Sequence, residues 1–384
     1  MRVLFVTHAF PRREGDGAGD FILRLAVALR AAGVSVEVLA PSAPGLTPIA
    51  EISGVRVTRF RYAPRSWETL AYEGTMAERV AGSVKAKIAL LGFIVGARRA
   101  VRAAMRPASR PDIIHAHWWF PCGVAAALTP GATPLVVTMH GSDVRLAAKS
   151  AVAPTVMSRV LHRAAAVTAV SSWLANTAQA FAAGVPIVVS PMPVDVSRFI
   201  AGPRVRKPQL LFVGRLNAQK GLADLIDALT TVREDATLDV VGDGPDRDSL
   251  VAQTSRLGIS NRVRWHGQLP PAKVAPLYRD ACLVVIPSRE EGLGLVAAEA
   301  LLSETAVVAY RSGGIVDLVE DGVTGRLVDE GSISQLGDAI NQLLSAPDAA
   351  TKMGSTGRAR MLERFAPQTV AGKYVATYNA VIGR

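Results

Sequence analysis

Cysteine is nearly absent from the 384-residue chain: there are two, Cys122 and Cys282, far apart in sequence. Neither a disulfide framework nor a cysteine-based zinc site can be built from them, and both read as buried packing residues. Long apolar runs are also missing. The longest outside the strand-like segments, Ile88 to Ala97, is too short to span a bilayer. The first ten residues, MRVLFVTHAF, have no charged segment leading into a long apolar core. They read as a strand rather than a secretory signal, so a cytoplasmic protein is expected. No nucleic-acid recognition motif and no interleaving of aromatics with basic residues is present, so a nucleic-acid partner is not expected.

Acid is scarce in one half only. Residues 1–200 hold 22 Lys+Arg and 11 Asp+Glu, whereas residues 201–384 hold 21 of each, so the whole net charge of +11 sits in the first half. Twelve of the basic residues fall between Arg56 and Arg110, around the apolar ALLGFIVG and opposed only by Glu68, Glu73 and Glu78. A basic helix with an apolar stripe suits an anionic membrane surface through residues 85–110; a solvated basic face with one buried stripe fits as well.

What is present is a two-domain α/β pattern, since 384 residues exceed what one core serves. Arg2 to Val6, the loop Pro11 to Gly19, the amphipathic stretch Phe21 to Ala32 and Val34 to Leu39 make a β-loop-α-β unit. The loop is not GxGxxG, so by itself it is weak evidence for a nucleotide. Val55 to Phe60 is a further strand, and Met76 to Met105 is helical. Strands at Ile113–His117 and Leu135–Met139 end in His117 and in His140-Gly141-Ser142-Asp143. In open parallel sheets, side chains just past the carboxyl ends of strands face the ligand crevice. After Val167 to Ser171, a helix and a short strand at 186–189, the proline-rich segment 191–195 reads as a hinge and leads to a basic linker ending at Lys207.

The alternation then restarts. Leu210 to Val213 opens onto Gly214-Arg215-Leu216-Asn217-Ala218-Gln219-Lys220-Gly221, two cations at a strand-to-helix turn with glycine at both ends. Arginine can grip two oxygens of a diphosphate while lysine supplies a point charge. Further on, the strand Leu283 to Ile286 is followed by Glu291, Gly292-Leu293-Gly294, a helix-compatible segment to Leu302 and the turn pair Gly313-Gly314. Glu299 lies about two turns into that helix. On a continuous helix the two carboxylates would be on the order of 12 Å apart, near the separation of hexose and ribose in a nucleotide sugar. The glycines between them leave backbone N–H groups open at a positive helix end, which suits a diphosphate. Asp246-Arg247-Asp248 has a DxD pattern but falls where a helix starts, and reads as capping.

The Glu291-to-Glu299 element with its glycines, the Gly214-Arg215…Lys220-Gly221 turn and the His140-Gly141 segment together resemble the retaining GT-B enzymes of glycosyltransferase family 4, also called glycosyl transferases group 1. The resemblance implies two Rossmann-like, doubly wound parallel-sheet domains facing a central cleft. The expected boundaries are 1–195 for the acceptor side, 196–365 for the donor side, and 366–384 for a C-terminal helix returning to the first domain. One departure is visible: Met192-Pro193 stands where many of the family have Asn-Gly, so no role of that asparagine carries over.

By this resemblance, a hexose would pass from a UDP-, GDP- or ADP-sugar to an acceptor hydroxyl with retention, without a metal or any other cofactor. His140, Glu291, Arg215 and Lys220 are the expected catalytic group, with Gly292, Leu293, Gly294, Leu295, Glu299, Gly214 and Gln268 completing the donor site. Gly19, His117 and Asp143 are expected on the acceptor side. A lipid-linked or glycolipid acceptor for envelope polysaccharide or glycolipid synthesis, at the inner face of the membrane, is favoured by the basic, apolar 85–110 region. A soluble acceptor, another GT-B activity of phosphorylase or epimerase type, and a two-lobed sugar-nucleotide-binding protein without catalysis remain open at this stage.

Overall fold

Runs of aliphatic residues without polar alternation become the central strands of two sheets, as burial on both faces demands. The computed structural model describes residues 1–72, 76–107, 109–202 and 207–383, and of residues 77 and 78 the backbone only. Residues 203–206 of the basic linker expected before Lys207, Glu73 and the side chain of Glu78 lie outside the described residues. Two units result, residues 1–193 with 367–384, and residues 194–366. The hinge reading put the boundary after Asp195. Val194 N–H donates to the Phe365 carbonyl at 3.2 Å, which ties residue 194 to the second unit.

The first unit contains β1 (Arg2–Val6), β2 (Ser35–Pro41), β3 (Ile49–Ile52), β4 (Val55–Phe60), β5 (Ile113–His117), β6 (Leu135–Met139), β7 (Ala166–Ala169) and β8 (Ile187–Val189). Their order is β3-β4-β2-β1-β5-β6-β7-β8. All pairs are parallel except β3 with β4, a hairpin the sequence reading did not anticipate. Leaving the two edge strands aside, the order is that of a doubly wound sheet, whose direction reverses between β1 and β5. Residues 76–105 are two helices, Met76–Gly82 and Val84–Ala104, where one was expected. Ser83 separates them as the cap of the second helix, its Oγ accepting from Ala86 N–H at 3.4 Å. The final helix, Pro367–Ile382, packs on the helix Asp20–Ala31.

That final helix is also bonded into the sheet. His115, fully buried on β5, sits between Tyr378 Oη at 2.7 Å and Thr138 Oγ1 at 2.6 Å, and Thr138 continues to Thr168 Oγ1 at 2.6 Å. Tyr374 Oη donates to the Ser190 carbonyl at 3.0 Å. Burial lowers the His115 pKa to about 3. The neutral ring therefore donates from one nitrogen and accepts at the other, which is what a buried imidazole between two hydroxyls requires.

The second unit contains β9 (Gln209–Val213), β10 (Thr237–Val241), β11 (Val263–Gly267), β12 (Leu283–Ile286), β13 (Ala306–Tyr310) and β14 (Gly325–Val328). They are all parallel in the order β11-β10-β9-β12-β13-β14, with the reversal between β9 and β12. The core beneath joins Leu210 and Phe212 of β9 to Leu225, Ile226 and Leu229 of the helix Leu222–Leu229 and to Leu336 and Ile340 of Ile333–Ser345. Asp246 stands before the helix Arg247–Arg256, but its side chain makes no cap hydrogen bond. Of the capping expected for this DxD, only the position holds.

Candidate active site

The reversal point of the second sheet is where its two leading loops meet. After β9, Asn217 Oδ1 accepts from Lys220 N–H at 3.2 Å and folds residues 218–220 into a tight turn. After β12, residues 287–294 form an irregular loop ahead of the helix Leu295–Leu302. The loops are stitched together: Arg289 N–H donates to the Gln219 carbonyl at 2.8 Å, and Gln219 Nε2 donates to the Arg289 carbonyl at 3.2 Å. That stitching brings Lys220 Nζ to 2.5 Å from Glu291 Oε2, with the side chains 21% and 17% exposed. The two residues picked from separate motifs are thus one ion pair.

Gly313 underlies this pair. Its φ is +58°, and a Cβ there would stand 2.2 Å from the Glu291 carbonyl oxygen, so a side chain is excluded on both counts. Gly314 N–H donates to the same oxygen at 2.7 Å. Gly292, Leu293 and Gly294 are buried, Leu295 and Arg215 are half-buried, and Gln268 is exposed. Gly214 N–H is taken up by the Val241 carbonyl at 3.0 Å.

Glu299 lies in the second turn of the helix and accepts from Tyr278 Oη at 2.8 Å. Burial, and then the charge and hydrogen bond of Glu299, raise the Tyr278 pKa well above its usual value, so the phenol remains a donor. The spacing estimate for the two carboxylates needs correction. Only Leu295 onward is helical, so a rise of about 1.5 Å per residue does not apply from Glu291 to Gly294.

The reversal point of the first sheet, between β1 and β5, holds an imidazole cluster. His117 Nδ1 lies 3.1 Å from His140 Nε2, and His117 Nε2 has no partner among the described residues. Trp118 takes a positive φ of 67°, costly for a bulky side chain. Its ring stands between His8 at 4.1 Å and His140 at 4.4 Å, and its Nε1 donates to Ser142 Oγ at 3.1 Å. Desolvation lowers the His117 and His140 pKa values well below the usual range and the His8 value to about 4. At neutral pH these rings are uncharged, able to donate and accept but not to supply a fixed positive charge.

Asp143, expected on the acceptor side, has both carboxylate oxygens occupied by backbone. Oδ1 accepts from the N–H groups of His140, Gly141 and Val144, and Oδ2 from that of Trp119. Burial nonetheless raises its pKa. Its evident work is to hold the His140 loop against the Trp119 loop. At Gly19 a Cβ would stand 2.4 Å from the Ala9 carbonyl oxygen, and φ is +71°; the glycine lets the start of the helix Asp20–Ala31 press on the segment after β1.

His8 and His115 were not singled out in the sequence, and Trp118 only as a residue released at the carboxyl end of its strand. The carboxyl-end rule that selected His117 and His140 would have reached His8, two residues past β1, and Trp118, just past β5. His115 was legible as a polar residue inside an apolar strand.

On the helix Val84–Ala104, Ala89, Phe93, Ala97 and Val101 are buried, while Val84, Ile88, Leu91 and Val95 are between 47% and 71% exposed. Lys85, Lys87, Arg98, Arg99 and Arg102 are exposed on the same helix, which carries no acidic residue. No described helix is long and apolar enough to cross a membrane.

Comparison with known proteins agrees with this architecture. Residues 193–360 match the family model described as glycosyl transferases group 1, and residues 16–195 match that of a glycosyl transferase 4-like domain. The chain is 30% identical over 397 residues to 2-deoxystreptamine glucosyltransferase of Streptomyces kanamyceticus, spanning 94% of this chain and 98% of that one. It superposes on sucrose-phosphate synthase of Thermosynechococcus elongatus with a TM-score of 0.83 at 22% identity, covering 100% and 99% of the two chains. It also superposes on the Anabaena protein HepE, solved with UDP-glucose, with a TM-score of 0.72 at 21% identity, covering 99% and 100%. With a relative at this identity matched over nearly all of both chains, a GT-B architecture in both units, and both family models satisfied in order, the chain belongs to the glycosyl transferases group 1 family.

Proposed function

We propose that the protein transfers a hexose from a nucleoside diphosphate sugar to an acceptor hydroxyl, with retention at the anomeric carbon. The observation that carries this reading is the Lys220–Glu291 pair at the reversal point of the second sheet, with Arg215 on the same loop and Gly313 beneath. Breaking the glycosidic bond puts negative charge on the leaving diphosphate and positive charge on the sugar ring. Arg215, Lys220 and the amino end of the helix Leu295–Leu302 meet the first requirement; Glu291 meets the second while binding sugar hydroxyls. Glu299 is assigned to the ribose hydroxyls and Gln268 to the loop bordering the base. His140, uncharged, is assigned to orienting the reacting groups. The leaving phosphate serves as acceptor of the hydroxyl proton, so no carboxylate base is invoked. Fixed cations replace a metal, and activity is expected to persist in EDTA.

We assign a lipid-linked acceptor and an anionic membrane surface to the exposed face of the helix Val84–Ala104. Each cation close to an anionic surface contributes about 1 kcal/mol. The test is a transfer assay with UDP-, GDP- and ADP-sugars, the product's anomeric configuration being read by NMR. One donor should give a retained product, lost in Arg215→Ala. An inverted product, or binding of every donor without transfer, would overturn the reading. Flotation with phosphatidylglycerol vesicles, weakened in Arg98→Glu/Arg102→Glu, tests the membrane assignment.

A further inference from the structure

Tyr278 is fully buried near the end of the helix Pro271–Asp280, and its hydroxyl donates to Glu299 Oε2 at 2.8 Å. Its ring and backbone are held independently of that bond. The ring stands edge-on to Phe199, with centroids 5.5 Å apart and planes at 86°. The Tyr278 carbonyl accepts at 2.6 Å from Oγ1 of Thr305, a fully buried residue just past the helix Leu295–Leu302 that carries Glu299. Arg358 Nη1 closes the frame, donating to the Phe199 carbonyl at 3.0 Å and to the carbonyl of Leu302, the last residue of that helix. The phenol and the Glu299 helix are therefore parts of one rigid assembly, and the Oη–Oε2 bond fixes the carboxylate against it. A glutamate on a helix face otherwise moves among several staggered rotamers.

We infer that Tyr278 is a positioning residue that sets a preference for ribose over deoxyribose in the donor, by holding the Glu299 carboxylate in one rotamer. The inference rests on the transferase reading, in which Glu299 meets the ribose hydroxyls; it goes further in naming the side chain that makes this contact selective. A carboxylate already held in place loses no rotamer freedom when the ribose arrives. A deoxyribose leaves one of its lone pairs unanswered, and a site built to bond a hydroxyl rejects the analogue that lacks it. Burial, and then Glu299 itself, keep the phenol protonated, so it remains a donor to the carboxylate at neutral pH.

The test uses the intact protein and calorimetric titration with UDP, GDP and ADP and with the 2′-deoxy and 3′-deoxy forms of whichever binds. The strength of a hydrogen bond to a charged group predicts that ribose is favoured by about ten- to a hundredfold over at least one deoxy form. Tyr278→Phe removes only Oη and keeps the ring against Phe199. That ratio should then fall by about three- to tenfold, the effect of setting one side chain free. Tyr278→Met, likewise without a donor, serves should the first variant fold poorly. In Glu299→Ala the preference should vanish, and adding Tyr278→Phe should not move it further, because Tyr278 acts through Glu299. A phenol with a merely structural role would weaken ribose and deoxyribose forms alike. An unchanged ratio in Tyr278→Phe therefore overturns the inference alone, whatever happens to affinity. A wild-type protein that binds both forms equally overturns it together with the ribose assignment of Glu299. If none of UDP, GDP and ADP binds, the transferase reading fails with it.

Discussion

Glu291→Gln should have opposite effects on binding and on turnover. In the second unit Lys220 Nζ is held 2.5 Å from Glu291 Oε2, so the cation proposed for the diphosphate is already engaged, and a negative charge stands beside the anion's place. Glutamine keeps the shape and one acceptor oxygen but removes the charge. At an effective dielectric near 20, a unit charge about 6 Å from a phosphate contributes about 3 kcal/mol. With both side chains partly exposed and physiological salt present, about 1 kcal/mol of that should survive. UDP, or whichever nucleoside diphosphate the protein accepts, should therefore bind about fivefold more tightly to the variant, more so at low salt. Turnover should fall, because a charged acceptor for sugar hydroxyls and a counter-charge to the ring cation are both lost. Hydrogen bonds to charged groups are worth about 1.5–3 kcal/mol, which converts to a loss of about ten- to a hundredfold in kcat. Calorimetry at two salt concentrations and a transfer assay read the two effects separately. Weaker binding of the free diphosphate in the variant would show that the carboxylate supports Lys220 rather than competing with the anion. Unchanged turnover would remove Glu291 from the donor-sugar site.

Gly313→Ala should lose donor binding by at least tenfold while the far-ultraviolet circular dichroism is unchanged, since the three atoms nearest the added Cβ all belong to the Glu291 backbone; full donor affinity in that variant would refute the packing argument. Acid should weaken the first unit through its histidines. The folded pKa of His115 is depressed to about 3, below the 6.5 of an unfolded histidine, so this stabilisation is complete above about pH 6.5 and is lost as pH falls toward 3. By pH 5 the loss is about 2 kcal/mol per such histidine. Hydrogen exchange of β5 amides at pH 7 and pH 5 should show it, and His115→Gln should lose about 2 kcal/mol less between the two; an equal loss would rule His115 out as the titrating group.

Much of the fold and part of the site could be read from the chain. Continuous aliphatic runs such as Leu283–Ile286 and Leu135–Met139 mark strands covered on both faces, and glycine-flanked loops after them mark strand-to-helix turns. These are local signals, which is why strand identity survived inspection while the β3 hairpin, resting on four residues of mixed polarity, did not. The residues proposed for the donor stand out because charge and glycine lie at fixed spacings on two strand-to-helix loops, one after β9 and one after β12. Other features depend on pairing between distant segments. Whether Lys220 meets Glu291, and why residue 313 must be glycine, depends on β9 lying beside β12.

Sequence by itself determined the two-unit α/β plan, because burial periodicity and loop composition are written along the chain, and it carried the motifs whose resemblance pointed to the family. Tertiary structure alone decided that His8, Trp118 and His140 stack into one cluster, that the Asp143 carboxylate is consumed by backbone N–H groups, and that Tyr378, 263 residues from His115, completes its hydrogen bonds. The physical reason is that strand order fixes which carboxyl ends are neighbours, and strand order is set by long-range packing that no local pattern encodes.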